Sequence, residues 1–116
     1  WERTNFAEEY NLYKEEGTVV GQQYPTDTGP LDILAVSKDG KKLLVIELKK
    51  SRASDSAVGQ ILRYMAYIQE EIAESYQAVV GAIIALDEDK KLMRAVSMIP
   101  TVDFYRYSIS FSLTKV

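Results

Sequence analysis

Two carboxylates and a lysine stand out in this sequence because of where they fall. Asp32 opens the aliphatic run LDILAV, and Glu47 and Lys49 close the run KLLVIELK, after Leu43 to Ile46 have committed that segment to the interior. A charge buried without a partner is expensive, so these groups must pair, reach a cleft or bind something. Between the two runs lies SKDGKK, in which Asp39-Gly40 is a strong signal for a two-residue hairpin turn. Across a hairpin centred there, residues whose numbers sum to about 79 face each other, which sets Asp32 opposite Glu47. Their Cβ atoms would then lie about 5 Å apart on a shared face. Like charges at that spacing need a proton or a cation between them. A site of oxygen donors favours Mg²⁺ or Mn²⁺. Lys49, on the same face as Glu47, can orient or deprotonate water, or offset charge on a phosphate. Gln60 and Tyr64, one helical turn apart, can reach the same strand end and position water or phosphate. The reaction class such a set predicts is phosphodiester hydrolysis.

Taken singly, each residue has a plainer reading. Asp32 can cap a turn, Glu47 and Lys49 can form a strand-end ion pair, and Gln60 and Tyr64 can be ordinary helix flanks. Convergence of the three charges at facing positions favours the chemical reading. Composition narrows it further. The chain has 116 residues, 47% hydrophobic and 27% charged, which suits one domain with a real core. It has no histidine and no cysteine, which excludes imidazole catalysis, thiolate metal sites and disulfides. No apolar run approaches the roughly 20 residues a membrane helix needs, and a cytoplasmic setting is expected. The net charge is -3, yet Lys41, Lys42, Lys49, Lys50, Arg52 and Arg63 share a stretch whose only acids are Glu47 and Asp55. Such a stretch can form a basic face on an acidic protein. Lys50 and Arg52 read equally well as phosphate contacts or as solvated loop charges.

The elements that must hold these residues follow from pattern. Residues 1–16 read as the end of a helix and a loop, with a short strand near Val19 to Tyr24. Leu31 to Val36 and Lys42 to Lys49 read as an antiparallel pair, the second strand apolar on both faces and therefore central. A helix is expected from about Ala57 to Ser75, capped from Ser54 to Ser56, with Val58, Ile61, Leu62, Met65, Ile68 and Ile72 as its apolar stripe. Ala78 to Leu86 reads as a buried strand parallel to 42–49, joined to it by a right-handed crossover. Asp87-Glu88-Asp89 reads as a solvated turn before a short helix that ends at Pro100. The tail reads as one long alternating strand, with Tyr105, Tyr107, Ile109, Phe111 and Leu113 on an apolar face that offers a surface for a homodimer.

The order Asp32 … Glu47-Leu48-Lys49, followed by Gln60 and Tyr64, resembles the PD-(D/E)XK nuclease superfamily. The stretch TGPLDILAVSKDGKKLLVIELKKSRASDSAVGQILRYMAYI, together with the tail from Gly81, is similar to the nuclease domain of NucS/EndoMS-like endonucleases. The resemblance implies an α/β fold with a restriction-endonuclease-like core, a mixed central β-sheet flanked by helices. It implies a single domain over 1–116 and a metal-dependent DNA endonuclease activity. Asp32, Glu47 and the backbone carbonyl of Leu48 would hold the metal, Lys49 would be the catalytic lysine, and Gln60 and Tyr64 would fill the family's helix positions. Lys50, Arg52 and Arg63 would contact DNA, whether branched, mismatched or single-stranded. The family's upstream helix, with its glutamate, is expected to be missing here; by residue type alone Glu2, Glu8 and Glu9 could supply that acid. The alternative is a non-catalytic module that keeps the fold and binds DNA or a partner.

Overall fold

The computed structural model describes residue 1 and residues 4–108 and 112–116. Its order is α1 (Phe6–Glu9), β1 (Tyr10–Leu12), β2 (Lys14–Glu15), β3 (Thr18–Val19), β4 (Gln22–Tyr24), β5 (Leu31–Ser37), β6 (Lys42–Leu48), β7 (Arg52–Ala53), α2 (Ser56–Glu71), β8 (Ala78–Ala85), β9 (Asp87–Glu88), α3 (Lys90–Ser97) and β10 (Val102–Arg106).

The centre is the β5–β6 hairpin. Gly40 takes φ +75, and the Asp39 carboxylate accepts from the Ser37 hydroxyl and the Lys41 N–H, so the turn holds itself closed. The register pairs Ile33 with Ile46, Leu34 with Val45, Ala35 with Leu44 and Val36 with Leu43, as the count from the turn requires. On its other side β6 pairs in parallel with β8, and β8 with β10. The mixed sheet therefore runs β1, β5, β6, β8, β10, with β4 also paired to β5. Antiparallel hairpin on one side and parallel crossovers on the other make β6 central, which is why both of its faces are apolar.

The larger core lies on one face, where Leu34, Leu43, Val45 and Ile83 meet Val58, Ile61, Met65 and Ile68 of α2, with Leu92 and Val96 of α3. The opposite face carries a smaller cluster, Ala35, Leu44, Ile46 and Ala82, covered by Trp1, Phe6 and Tyr10. No described helix is long and apolar enough to cross a membrane.

Several expectations change. The first 24 residues hold more structure than a helix end, a loop and one strand. β1 and β4 pair with successive parts of the same β5 edge, and the chain between them leaves the sheet as the β2–β3 hairpin. Glu16 and Gly17 turn it with φ +52 and +82, the two positive angles of a type I′ turn. Tyr13 and Val20 close its neck, and Gly21 returns the chain to Leu34. The helix α2 stops at Glu71: the Ile72 N–H makes the last regular bond, to the Ile68 carbonyl, and the Ala73 N–H turns to that same carbonyl instead of the next one. Its first turn is closed by backbone bonds to Ser54 and Asp55, while the Ser54 and Ser56 hydroxyls bond each other instead of capping it. Leu62 is exposed, so the stripe is narrower than expected.

Asp87 and Glu88 are not a free turn either. They pair with Arg52 and Ala53, and Asp89 caps α3 by accepting from the Leu92 N–H at 2.7 Å. The last strand ends at Arg106, and its faces are the reverse of the expected ones. Val102 and Phe104 join the core, whereas Tyr105 packs edge-on against Phe6. The positions of Ile109 and Phe111 lie outside the described residues, and Leu113 is exposed.

Candidate active site

The ladder ends with Ile33 paired to Ile46, and one residue beyond that pair stand Asp32, near the start of β5, and Glu47, near the end of β6. By strand periodicity both residues share the α2 face, with Leu34 and Val36 on one strand and Leu43 and Val45 on the other. The same apolar runs that bury the hairpin thus deliver two carboxylates to the edge of the core beneath α2.

Glu47 is only 4% exposed and is the single buried charged residue among those described. Burial raises its carboxyl above the ordinary value, and the neighbouring Asp32 charge raises it further, while Lys49 opposes both. Lys49 Nζ lies 3.2 Å from Glu47 Oε1 and donates to Gln60 Oε1 at 2.9 Å. Gln60 Nε2 donates to the Tyr64 hydroxyl at 3.3 Å, and that hydroxyl donates to the Pro30 carbonyl at 3.3 Å. A chain of hydrogen bonds therefore runs from the end of β6, along one turn of α2, and back to the segment that leads into Asp32. Tyr64 is buried in the core, so its ring anchors the relay while its hydroxyl serves it.

Asp32 is fixed separately. Its Oδ2 accepts from the Leu48 N–H at 2.7 Å, and Gln23 Nε2 approaches Oδ1 at 3.4 Å. The structure thus brings together Asp32, Glu47, Lys49, Gln60 and Tyr64, and adds Gln23 and the Pro30 carbonyl. Neither addition was legible in the sequence: Gln23 matters through its position across from Asp32, and Pro30 through its main chain.

The DNA-contact candidates stand outside this network. Lys50 is exposed, and its carbonyl accepts from the Tyr107 hydroxyl at 3.0 Å. Arg52 pairs with Asp87 at 3.3 Å across the β7–β9 bridge, and Arg63 lies on the exposed side of α2. Glu8 and Glu9 sit on α1, where they line a hollow of about 920 Å³ with Phe6, Tyr105 and Tyr107. Glu2 lies outside the described residues. Among the described residues no third His, Cys, Asp or Glu joins Asp32 and Glu47. The donor set fits a hard divalent ion: two neighbouring carboxylates, the Glu47 carboxyl raised by burial first and then by the Asp32 charge, on a chain without imidazole or thiol.

The family described as the endonuclease NucS C-terminal domain matches residues 4–98. This chain belongs to that family. Among curated relatives, endonuclease NucS of Pyrococcus abyssi is 32% identical over a region spanning 75% of this chain and 37% of that protein. Endonuclease NucS of Corynebacterium efficiens is 35% identical, over 66% of this chain and 33% of the other. The chain thus spans about a third of the length of the NucS proteins it matches. The crystal structure of a repair endonuclease from Pyrococcus abyssi superposes with a TM-score of 0.67 at 24% identity, covering 88% of this chain and 40% of that one. A structure of EndoMS with double-stranded DNA gives 0.66 at 21% identity, covering 90% and 38%. At those identities the superpositions show the fold: a NucS-like mixed sheet flanked by helices.

Proposed function

We propose that this NucS C-terminal domain is a metal-dependent DNA endonuclease domain with a restriction-endonuclease-like core of the PD-(D/E)XK type. The observation that carries the proposal is the meeting of Asp32, Glu47 and Lys49 at one edge of the core, with Lys49 held between Glu47 and Gln60. Asp32, Glu47 and the Leu48 carbonyl are the proposed ligands of Mg²⁺ or Mn²⁺. Once bound, such an ion supplies Lewis acidity and shields the negative phosphodiester.

The remaining work belongs to the chain. Lys49 orients the attacking water and offsets the charge that builds on the phosphate as water adds and a P–O bond breaks. Gln60 fixes the direction of the ammonium, and Tyr64 fixes Gln60. Lys50, Arg52 and Arg63 give the phosphate backbone its footing. DNA as the partner is supported by relatives named endonuclease NucS and by an EndoMS structure containing double-stranded DNA. A homodimer and a cytoplasmic setting belong to the same reading.

The test is cleavage of branched, mismatched and single-stranded DNA in Mg²⁺ or Mn²⁺. The parent chain cuts at least one, and Glu47→Ala and Lys49→Ala lower the rate by a factor on the order of 100 or more. Variants that cut as well as the parent remove the assignment.

A second reading has its own observation, the lack of a third acid beside Asp32 and Glu47 among the described residues. In it the domain binds DNA without cutting. DNA affinity that ignores both metal and Asp32→Ala, with no hydrolysis of any substrate, selects this reading over the first.

A further inference from the structure

We infer that Gln23 is a positioning residue for Asp32 and that it sets how tightly the site holds a divalent cation. The inference rests on the reading of Asp32 as a cation ligand. Gln22 pairs with Ile33 and Tyr24 with Leu31, so Gln23 stands opposite Asp32, as Glu47 does from the other side. Three adjacent strands thus carry one row: amide, carboxylate, carboxylate.

The backbone of Gln23 is what makes the row unusual. It has φ +50, a left-handed conformation that glycine adopts freely and a residue with a side chain rarely does. The pairing on either side advances one residue for one, so the angle does not absorb an inserted residue. The side chain is exposed, so packing does not hold it there. Its amide contact is to Asp32 Oδ1 at 3.4 Å, while the Leu48 N–H holds Oδ2 at 2.7 Å. The carboxylate is thus addressed from β4 and β6, one donor on each oxygen, which fixes its plane.

The chemistry of the second donor matters. A lysine or arginine at this position would neutralise the charge a cation needs. An amide at 3.4 Å orients Oδ1 without neutralising it and leaves a lone pair on that oxygen for a cation. Partners of this kind typically change metal affinity by about 10–100-fold when removed.

The experiment is calorimetric titration of Mn²⁺ into the parent, Gln23→Gly, Gln23→Glu and Asp32→Ala proteins, with thermal melts in chelator. Gln23→Gly relieves the left-handed backbone, so its metal-free melting temperature stays level or rises, while Mn²⁺ affinity falls at least 10-fold. A residue with a merely structural role would move both in the same direction. Gln23→Glu adds a third carboxylate to the row, lowers the metal-free melting temperature and binds Mn²⁺ at least as tightly as the parent. If Gln23→Gly keeps the parent affinity while Asp32→Ala loses it, the role of Gln23 is overturned and the metal site stands. If Asp32→Ala binds Mn²⁺ like the parent, the metal-site reading itself falls, and the role of Gln23 with it.

Discussion

Glu47 is held in two directions at once, and its pH response follows from which is stronger. Burial and Asp32 raise its carboxyl above the ordinary 4.5, and Lys49 only partly opposes them. Between the unfolded value and the raised folded value the native state binds more protons than the unfolded chain. The contribution of Glu47 to stability is therefore fullest below about pH 4.5 and is lost as pH rises through the folded value. In metal-free buffer, Glu47→Gln should abolish that decline, so that its melting temperature exceeds the parent's at neutral pH and not in acid. Melts between pH 4 and 8 decide the matter; parallel curves for the two proteins would refute it. At this scale the sequence was informative where register did the work. Counting from Asp39-Gly40 put Asp32 beside Glu47, and helical spacing put Gln60 beside Tyr64. Gln23 was hidden because its role depends on a backbone angle that glutamine rarely adopts.

Among the elements, the strong periodic ones were legible and the short ones were not. The β5–β6 hairpin, the α2 stripe and the β8 strand each carry several buried residues in pattern. β2 and β3 have two residues each, all of them exposed, and only Gly17 hinted at their turn. β10 misled through its tyrosines: the aromatic run suggested one buried face, but Val102 and Phe104 are the residues that reach the core. Two glycines separate the close approaches that hold the elements together. A Cβ at Gly81 would meet Met65 Sδ at 2.7 Å and Ile61 Cδ1 at 2.9 Å, the mobile ends of α2 side chains. A Cβ at Gly21 would meet the Leu34 carbonyl oxygen at 2.2 Å and the Tyr13 nitrogen at 2.7 Å, which are backbone. Gly81→Ala should then cost about 1–3 kcal/mol, and Gly21→Ala more than Gly81→Ala. Urea denaturation of both variants checks the order, and the reverse ranking would contradict this account of the β1–β4 junction.

For the molecule as a whole, net charge conceals the useful fact. The protein is acidic at -3, while its proposed DNA footing lies within the basic stretch from Lys41 to Arg63. Phosphate contacts release counterions, so log affinity should fall linearly with log salt. Lys50→Ala and Arg63→Ala should each reduce that slope by about 1. Arg52 already faces Asp87, so Arg52→Ala should change the slope less than either. Fluorescence anisotropy across a salt series measures all three, and a salt-independent affinity would refute phosphate contact. The family was legible in the sequence because its motif, hairpin and helix lie in one continuous stretch. The dimer reading drew on a tail strand longer than β10, which ends at Arg106.

The candidate site from Asp32 to Tyr64 also has a consequence in time. Most of its partners are near in sequence: Gln23 and Asp32 are 9 residues apart, Lys49 and Gln60 11, Asp32 and Leu48 16, and only Tyr64 and Pro30 are as far apart as 34. The β8–β10 pairing joins segments about as far apart, but it has nowhere to dock until β6 has accepted β8. Short loops close at little entropic cost, so the folding nucleus should form at the β5–β6 hairpin and carry the reactive row with it. Gly40→Val, which cannot hold φ +75 easily, should then slow refolding, whereas Val102→Ala should chiefly speed unfolding. Stopped-flow chevrons of the two variants would show it, and equal partition between the two limbs would disprove it. On this account the residues that would cut DNA come together before the sheet that carries them is complete.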